Sequence, residues 1–240
     1  MKNFRSFMKI LFPEYIKCIV CSKELNEDKL FSICDDCLEQ IPFISGNTCI
    51  KCGMKLDNDY IVCLNCKDNP KYFERHFSVL SYTGVMPKLV QDFKFNKKKY
   101  LSVPFSKMML EKFKDEDISV DLIIPVPLHS ERLKERGYNQ SELLLQEFEE
   151  LDIPIVKDNL QRIKYGPQQA VLTRAERRNN LIDAFVIKDK SVIKGKTILV
   201  VDDIYTTGST LNEVSKTLIK AGASKVFCLT LCHASYYPNI

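Results

Sequence analysis

The sequence predicts an α/β fold, a doubly wound parallel sheet preceded by a small cysteine-rich domain. Two observations carry this prediction. Short apolar runs typical of buried strands alternate with amphipathic helical patterns from residue 76 onward, whereas eight of the ten cysteines lie before residue 67. The run Asp68, Asn69 and Pro70 is typical of a linker. We therefore predict domains at residues 1–68 and 69–240, and a length of 240 residues with 45% hydrophobic content is sufficient for a packed core.

Each element follows from the spacing of its apolar residues. Strands are predicted at residues 76–82, 121–126, 198–201 and 226–231. Helices are predicted at residues 85–95, 101–113, 139–151 and 211–221. In the first helix, for example, Leu89, Val90 and Phe93 share one side. Strands that alternate with helices in this way favour a parallel sheet covered on both faces.

The cysteines of the N-terminal domain form four C-x-x-C pairs, namely Cys18/Cys21, Cys34/Cys37, Cys49/Cys52 and Cys63/Cys66. A C-x-x-C turn directs two thiolates at one tetrahedral ion, and a second pair completes the set, so we predict two structural zinc ions. A disulfide framework would need an oxidising compartment. Pairing consecutive turns keeps each loop short, but interleaved pairing would also satisfy the ions, and the sequence leaves both open.

The segment at residues 198–210 reads I-L-V-V-D-D-I-Y-T-T-G-S-T and predicts a socket for a sugar phosphate. Ligands of open α/β sheets bind at the carboxyl ends of the strands, where we place Asp202 and Asp203. These carboxylates suit the 2′ and 3′ hydroxyls of a ribose and a magnesium ion. The following loop consists of Thr206, Thr207, Gly208, Ser209 and Thr210. It suits the phosphate, because Gly208 permits a positive φ and the next helix presents its amino end.

Other interpretations of this segment explain less. There is no lysine after Gly208, as a Walker loop requires, and a dinucleotide fingerprint needs three glycines. We expect Thr210 and Glu213 to form a capping box, but an ordinary helix start of this kind does not explain the paired aspartates.

Cations are expected opposite these aspartates. Arg132, Lys134 and Arg136 follow the strand at residues 121–126, so the fold brings them to the same edge of the sheet. The arginines suit a phosphate because the guanidinium fork donates two parallel hydrogen bonds. A solvated helix start with internal ion pairs is equally consistent with the residues alone. His129 could hydrogen-bond a phosphate, although a packed loop histidine is the commoner outcome.

Net charge does not indicate a partner. The formal charge is +4, but each four-thiolate zinc site carries about −2, which brings the total to roughly zero. The local distribution of charge is more informative. Lysines and aromatic residues are mixed in one stretch, and a single-stranded nucleic acid could use them for phosphate contacts and base stacking. That stretch contains Lys88, Phe93, Lys94, Phe95, Lys97, Lys98, Lys99 and Tyr100. A solvated basic surface explains the same residues.

Nothing in the sequence indicates a membrane protein. No apolar run approaches the length of a membrane span. The stretch at residues 1–13 is basic and partly apolar, but no small-residue cleavage site follows it, so it is a poor signal peptide. We expect a cytoplasmic protein.

These motifs resemble a known family. The segment at residues 198–210 is similar to the 5-phosphoribosyl-1-pyrophosphate (PRPP) motif of type I phosphoribosyltransferases. The whole chain resembles the ComF (ComFC) competence family, in which that fold follows a double zinc ribbon. The resemblance also rests on P-V-P-L-H at 125–129, E-R-L-K-E-R-G-Y-N-Q at 131–140, and P-Q-x-x-L-x-R-A-E-R-R-x-N-L at 167–181.

The resemblance implies a type I phosphoribosyltransferase fold that binds Mg-PRPP. It implies that Arg132 and Arg136 bind the pyrophosphate, and that a lid containing Gln168 and Gln169 closes over the site. It also implies a role in the uptake of single-stranded DNA during natural transformation.

Two functions remain open from the sequence. As an enzyme, the protein would transfer the phosphoribosyl group of PRPP, but no residue set identifies the acceptor. Position 2 is Lys2 rather than a cysteine nucleophile, which argues against a glutaminase partner activity. As an adaptor, the protein would bind PRPP or a nucleotide without turnover and contact single-stranded DNA or a helicase.

Overall fold

The computed structural model describes residues 16–25, 29–56, 60–165 and 181–234. The strands within these ranges are β1 (Ile16–Lys17), β2 (Glu24–Leu25), β3 (Arg75–Ser81), β4 (Leu122–Pro125), β5 (Leu160–Arg162), β6 (Phe185–Ile187), β7 (Thr197–Tyr205) and β8 (Lys225–His233). The α-helices are α1 (Asp35–Leu38), α2 (Leu64–Asp68), α3 (Met86–Phe95), α4 (Ser102–Lys114), α5 (Ser130–Arg136), α6 (Gln140–Leu143) and α7 (Ser209–Lys220).

The centre of the protein is a four-stranded sheet in the order β3-β8-β7-β4. Every neighbouring pair in it is parallel. Strand β7 is buried on both faces because Ile198, Leu199, Val200 and Val201 are all inaccessible to solvent. The predicted α/β fold is confirmed. The small antiparallel pairs β1–β2 and β5–β6 lie outside this sheet.

Helices cover both faces of the sheet. On one face, Leu199 and Val201 pack in an apolar layer with α3 and α4, which contribute Leu89, Phe93 and Phe105. On the other face, Ile198 and Val200 pack with α7, which contributes Leu211, Val214 and Leu218. The sheet is therefore doubly wound, and the predicted helices at 85–95, 101–113 and 211–221 are present with ends shifted by one or two residues.

The predicted helix at residues 139–151 is only partly correct. It begins as α6 but stops at Leu143, and a short 3-10 turn follows at Glu147–Glu150. The amide of Glu147 donates to Ser106 Oγ at 2.9 Å. A continuous helix would use that amide for the carbonyl four residues earlier. The apolar residues Leu144 and Phe148 are nevertheless fully buried, so the pattern correctly identified the core side of this segment.

Strand β7 is longer than predicted. The aspartates lie within it, because β7 pairs with β8 as far as Tyr205, opposite His233. Its pairing with β4 ends earlier, at Val201 opposite Pro125. Asp202 and Asp203 therefore extend beyond the end of β4, at the same edge of the sheet from which α5 begins.

The cysteine-rich segment also closes an edge of the sheet. The amide of Ile44 donates to the Val79 carbonyl at 2.9 Å, and the amide of Ser81 donates to the Pro42 carbonyl at 2.8 Å. Phe43 forms an antiparallel bridge with Leu80. The segment thus runs along β3, the outer strand of the sheet.

Candidate functional site

The loop at residues 206–210 joins β7 to α7. Gly208 takes a left-handed φ of 73° and is the N-cap of α7, which begins at Ser209. Thr207 Oγ1 accepts a hydrogen bond from the Ser209 amide at 3.4 Å. A tight turn of this kind directs backbone amides and the amino end of α7 towards one point, which is the geometry of an anion site.

The capping box expected at Thr210 and Glu213 is wrong. The helix starts one residue before Thr210, so Thr210 lies inside α7. The Glu213 carboxylate accepts from the amide of Asp183 at 3.0 Å and pairs with Lys216 at 3.3 Å. The Glu213 side chain therefore fixes the segment that leads into β6 and does not cap α7.

The two aspartates point in different directions because neighbouring strand residues face opposite sides. Asp202 Oδ1 accepts from Ser141 Oγ at 3.0 Å and from the amide of Asp203 at 2.9 Å. Asp203 pairs with Lys94 Nζ at 2.9 Å. Burial, and then the neighbouring Asp203, raise the pKa of Asp202 to about 7. The site therefore holds a carboxyl group that titrates near neutral pH.

Arginines from two elements share a cavity of about 530 Å³ with these aspartates. Arg132 and Arg136 extend from α5 and Arg162 from β5. The Arg136 guanidinium lies 4.9 Å from the centre of the Phe95 ring. Burial, and then the charge of Arg132, lower the pKa of Arg162. Three cations that repel one another in a half-buried cavity form a site for an anion with several charges.

The other two predicted residues of this region have local partners. Lys134 is exposed and pairs with Glu131 at 3.0 Å, so the solvated interpretation holds for it. His129 caps α5, because its Nδ1 accepts from the Glu131 amide at 3.3 Å. The predicted lid residues Gln168 and Gln169 lie outside the described residues.

Sequence reasoning missed three residues of the cavity. The sequence places Lys94 in the lysine cluster, and it assigns no role in the site to Arg162 or Ser141. One signal was available for Lys94, since it follows Val90 by four positions and so shares the apolar side of its helix.

The structure divides the predicted lysine cluster. Lys94 pairs with Asp203, and Lys98 pairs with Asp92 at 2.8 Å. Lys99 Nζ lies 4.7 Å from the centre of the Tyr138 ring. The cluster is therefore not one uniform basic face.

The eight cysteines of the C-x-x-C pairs form two groups of consecutive pairs, which are Cys18, Cys21, Cys34 and Cys37, and Cys49, Cys52, Cys63 and Cys66. Within each group all sulfur atoms lie within 4.8 Å of one another. A tetrahedral zinc ion with Zn–S bonds of about 2.3 Å needs S···S distances of about 3.8 Å. Cys21 and Cys34 are 3.8 Å apart, and Cys52 and Cys63 are 3.7 Å apart. Both groups fit structural zinc, and consecutive pairing is the arrangement that the fold adopts.

Comparison with known proteins agrees with both parts. Residues 7–67 match the model of the double zinc ribbon domain, and residues 134–237 match that of the phosphoribosyl transferase domain. The chain is 33% identical to Competence protein F of Haemophilus influenzae, over 94% of this chain and 96% of that protein. It is 28% identical to Competence protein ComFC of Bacillus subtilis, over 89% of this chain and 93% of that protein. It is 27% identical to the DNA utilization protein YhgH of Escherichia coli K12, over 90% of this chain and 89% of that protein.

A solved structure of a purine phosphoribosyltransferase from Pyrococcus horikoshii is 20% identical to this chain, with a TM-score of 0.32. The alignment covers 58% of this chain and 77% of the other. So distant a likeness adds nothing to the fold described above.

Sheet, cavity and cysteine groups together define a phosphoribosyltransferase-domain protein that carries an N-terminal double zinc ribbon. Within that class, the chain belongs to the ComF competence family. In the part of the chain that the structure describes, no helix has the length and apolar character to cross a membrane.

Proposed function

We propose that this protein binds Mg-PRPP and transfers its phosphoribosyl group to an acceptor, with release of pyrophosphate. The observation that best supports this function is the convergence of Asp202, Asp203 and three arginines on one cavity of about 530 Å³ beside the loop at residues 206–210. The acidic and basic halves of the cavity match the two halves of the ligand. A ribose offers hydroxyl donors to carboxylates, and a pyrophosphate needs cations.

The loop at residues 206–210 would hold the 5-phosphate of the ligand. Its amides precede a helix of 12 residues, whose positive end favours an anion. Asp202 would accept hydrogen bonds from the ribose hydroxyls. Magnesium bound with PRPP would offset pyrophosphate charge, and Asp202 and Asp203 are the residues that fit it.

The three arginines would hold the leaving group. When an acceptor forms a bond to C1 of the ribose, the bond from C1 to the pyrophosphate oxygen breaks, and its electron pair leaves with the pyrophosphate. Arg132, Arg136 and Arg162 line the cavity and would stabilise the charge that develops on the leaving group. An anion in the cavity would reduce the repulsion between Arg132 and its two neighbours, which favours the bound state.

The decisive experiment separates binding from turnover. Mg-PRPP affinity is measured by calorimetry, and pyrophosphate release is measured with a panel of nucleobase and amine acceptors. We expect wild-type protein to bind and Asp202→Asn to bind at least about tenfold more weakly. The exposed Asp152→Asn is the matched control and should behave as wild type. Binding that does not change in Asp202→Asn would contradict the assigned site, and binding without release for any acceptor would favour the adaptor.

An adaptor that contacts single-stranded DNA is the second candidate, and an exposed surface beside the cavity favours it. Phe95 and Tyr100 are 52% and 60% exposed, and the exposed Lys97 and Lys99 lie between them in the chain. Aromatic faces with neighbouring lysines suit unpaired bases and phosphates. The relatives are named competence and DNA utilization proteins, which supports a role for this chain in DNA uptake during natural transformation, on the cytoplasmic side.

The adaptor is tested with an oligonucleotide and two charge-matched variants. Lys97→Ala/Lys99→Ala should weaken binding and reduce its dependence on salt. Lys188→Ala/Lys190→Ala removes the same charge from exposed positions. These lysines precede the amino end of β7, at the end of the sheet opposite Asp202 and Asp203. Equal loss in both variants would indicate general electrostatic attraction, not a site.

A further inference from the structure

One backbone oxygen of the second cysteine group contacts two strands of the sheet. The Cys52 carbonyl accepts two hydrogen bonds, from His76 Nδ1 at 2.9 Å and from His233 Nε2 at 2.8 Å. A carbonyl only accepts, so both ring nitrogens carry a proton. His76 belongs to β3 and His233 to β8, so a single oxygen of the cysteine turn joins two neighbouring strands.

Both histidines are buried and pack against one side of a tyrosine ring, with their own ring centres 5.8 Å apart. Each is only 1% exposed. The Tyr205 ring stacks on His76 with centres 4.2 Å apart and on His233 with centres 4.8 Å apart, and both interplanar angles are below 25°. His76 Nε2 lies 3.0 Å from Thr230 Oγ1, which also ties the ring to β8. The position of Tyr205 therefore depends on that of both rings.

Tyr205 in turn supports the loop at residues 206–210. A Cβ atom built on Gly208 would lie 2.5 Å from Cζ and 2.7 Å from Cε2 of Tyr205, so the glycine backbone rests directly on this ring. A continuous series of contacts thus runs from the Cys52 carbonyl, through two histidines and one tyrosine, to the N-cap of α7.

The first cysteine group offers a natural comparison. Cys18, Cys34 and Cys37 pack with Phe31 and Ile33 in the apolar layer that contains α3 and α4. The second group packs in the layer on the other face of the sheet, together with Tyr205 and Leu211. The two groups share a ligand set but face different parts of the protein.

We propose that metal in the second cysteine group positions the loop at residues 206–210 and so sets the affinity of the protein for PRPP. The turn from Cys49 to Gly53 is closed by a hydrogen bond from the Gly53 amide to the Cys49 carbonyl at 2.7 Å. Bound metal fixes this turn and with it the Cys52 carbonyl. Without metal the turn loosens, and two buried ring N–H groups lose their acceptor, which weakens the stack around Tyr205. The effect on PRPP rests on the proposed function, whereas the effect on the loop does not.

The test compares two double variants of the full chain. Cys63→Ser/Cys66→Ser removes half of the second group and leaves Cys52 in place, and Cys34→Ser/Cys37→Ser removes the equivalent half of the first. Zinc content, Mg-PRPP affinity and amide exchange of residues 205–210 are measured for each. We expect each variant to lose one zinc ion, but only the second-group variant to bind PRPP about tenfold more weakly and to exchange these amides faster.

Two results would overturn the proposal: wild-type exchange at residues 205–210 in the second-group variant, or the same acceleration in both variants. If wild-type protein does not bind PRPP at all, the proposed function fails. The amide exchange of residues 205–210 in the two variants still decides whether the second cysteine group positions the loop. Should the second-group variant fail to fold, Tyr205→Leu and Tyr205→Phe replace it, with zinc retained in both. Tyr205→Leu removes the stack and should speed exchange, whereas Tyr205→Phe keeps the stack and should not. Equal exchange in these two variants would also contradict the proposal.

Discussion

Replacing Gly208 with alanine should weaken Mg-PRPP binding sharply. The substitution adds one methyl group at a residue whose φ is +73°. That methyl group would overlap the hydroxyl end of the Tyr205 ring, with Cζ only 2.5 Å away. His76 and His233 stack on the ring and oppose its displacement. The loop must therefore move away from its position over the ring.

Two costs combine in this variant. An L-residue in the left-handed region costs about 1–2 kcal/mol. The overlap adds a cost that the loop avoids only by moving, and a moved loop no longer directs its amides at one point. A loss of at least about 1.4 kcal/mol of binding free energy, or about tenfold in affinity, is expected.

Gly195→Ala is the matched control. Its φ is +75°, and a Cβ atom there meets nothing within 4 Å, so it carries the backbone cost without the overlap. Both variants are compared by calorimetry with Mg-PRPP and by urea unfolding. We expect Gly195→Ala to lose stability but to keep wild-type affinity. If Gly208→Ala binds within about twofold of wild type, the contact between Gly208 and Tyr205 does not position the phosphate loop, and the reasoning fails.

Three further outcomes are expected. Because burial raises the pKa of Asp202 from 3.8 to about 7, Mg-PRPP affinity should rise with pH up to about 7, by at most about tenfold per pH unit. Asp202→Asn should remove that part of the pH dependence of binding. The free energy of unfolding of wild type, relative to that of Asp202→Asn, should fall between pH 4 and pH 7. If the two free energies of unfolding change with pH in parallel, the raised pKa is contradicted. Arg162→Gln should weaken pyrophosphate binding by about 1.5–3 kcal/mol, whereas the exposed Lys164→Gln should have little effect; equal losses would indicate nonspecific attraction. Elemental analysis should find about two zinc ions per chain, and a value near one would show that only one cysteine group binds metal.

The sequence predicted the sheet and the cysteine groups well because each depends on a local pattern. Residues 198–201 are apolar without interruption, and C-x-x-C spacing is set by the geometry of a single turn. The end of β7 was misplaced because aspartate is uncommon in strands. Pairing with β8 carries the strand through Asp202 and Asp203, and that partner is distant in the sequence.

The cavity was harder to predict because its members come from separate elements. Ser141 and Lys94 contact Asp202 and Asp203 only after α6 and α3 have packed around the sheet. Arg162 likewise joins the cavity only once β5 is in place. A lysine in a basic stretch looks solvated until its helix is placed against the sheet. The stack around Tyr205 has the same character, since two histidines from different strands meet a carbonyl of the cysteine-rich segment.

The antiparallel run of Pro42–Ile44 along β3 has a consequence for solubility. An outer strand with free amides and carbonyls is a template for pairing with another chain, and β3 is almost entirely buried. Here the cysteine-rich segment occupies that edge. A chain that starts at residue 69 would expose the outer edge of β3 and should self-associate through it. The double zinc ribbon therefore protects the sheet from self-association as well as contributing to the fold.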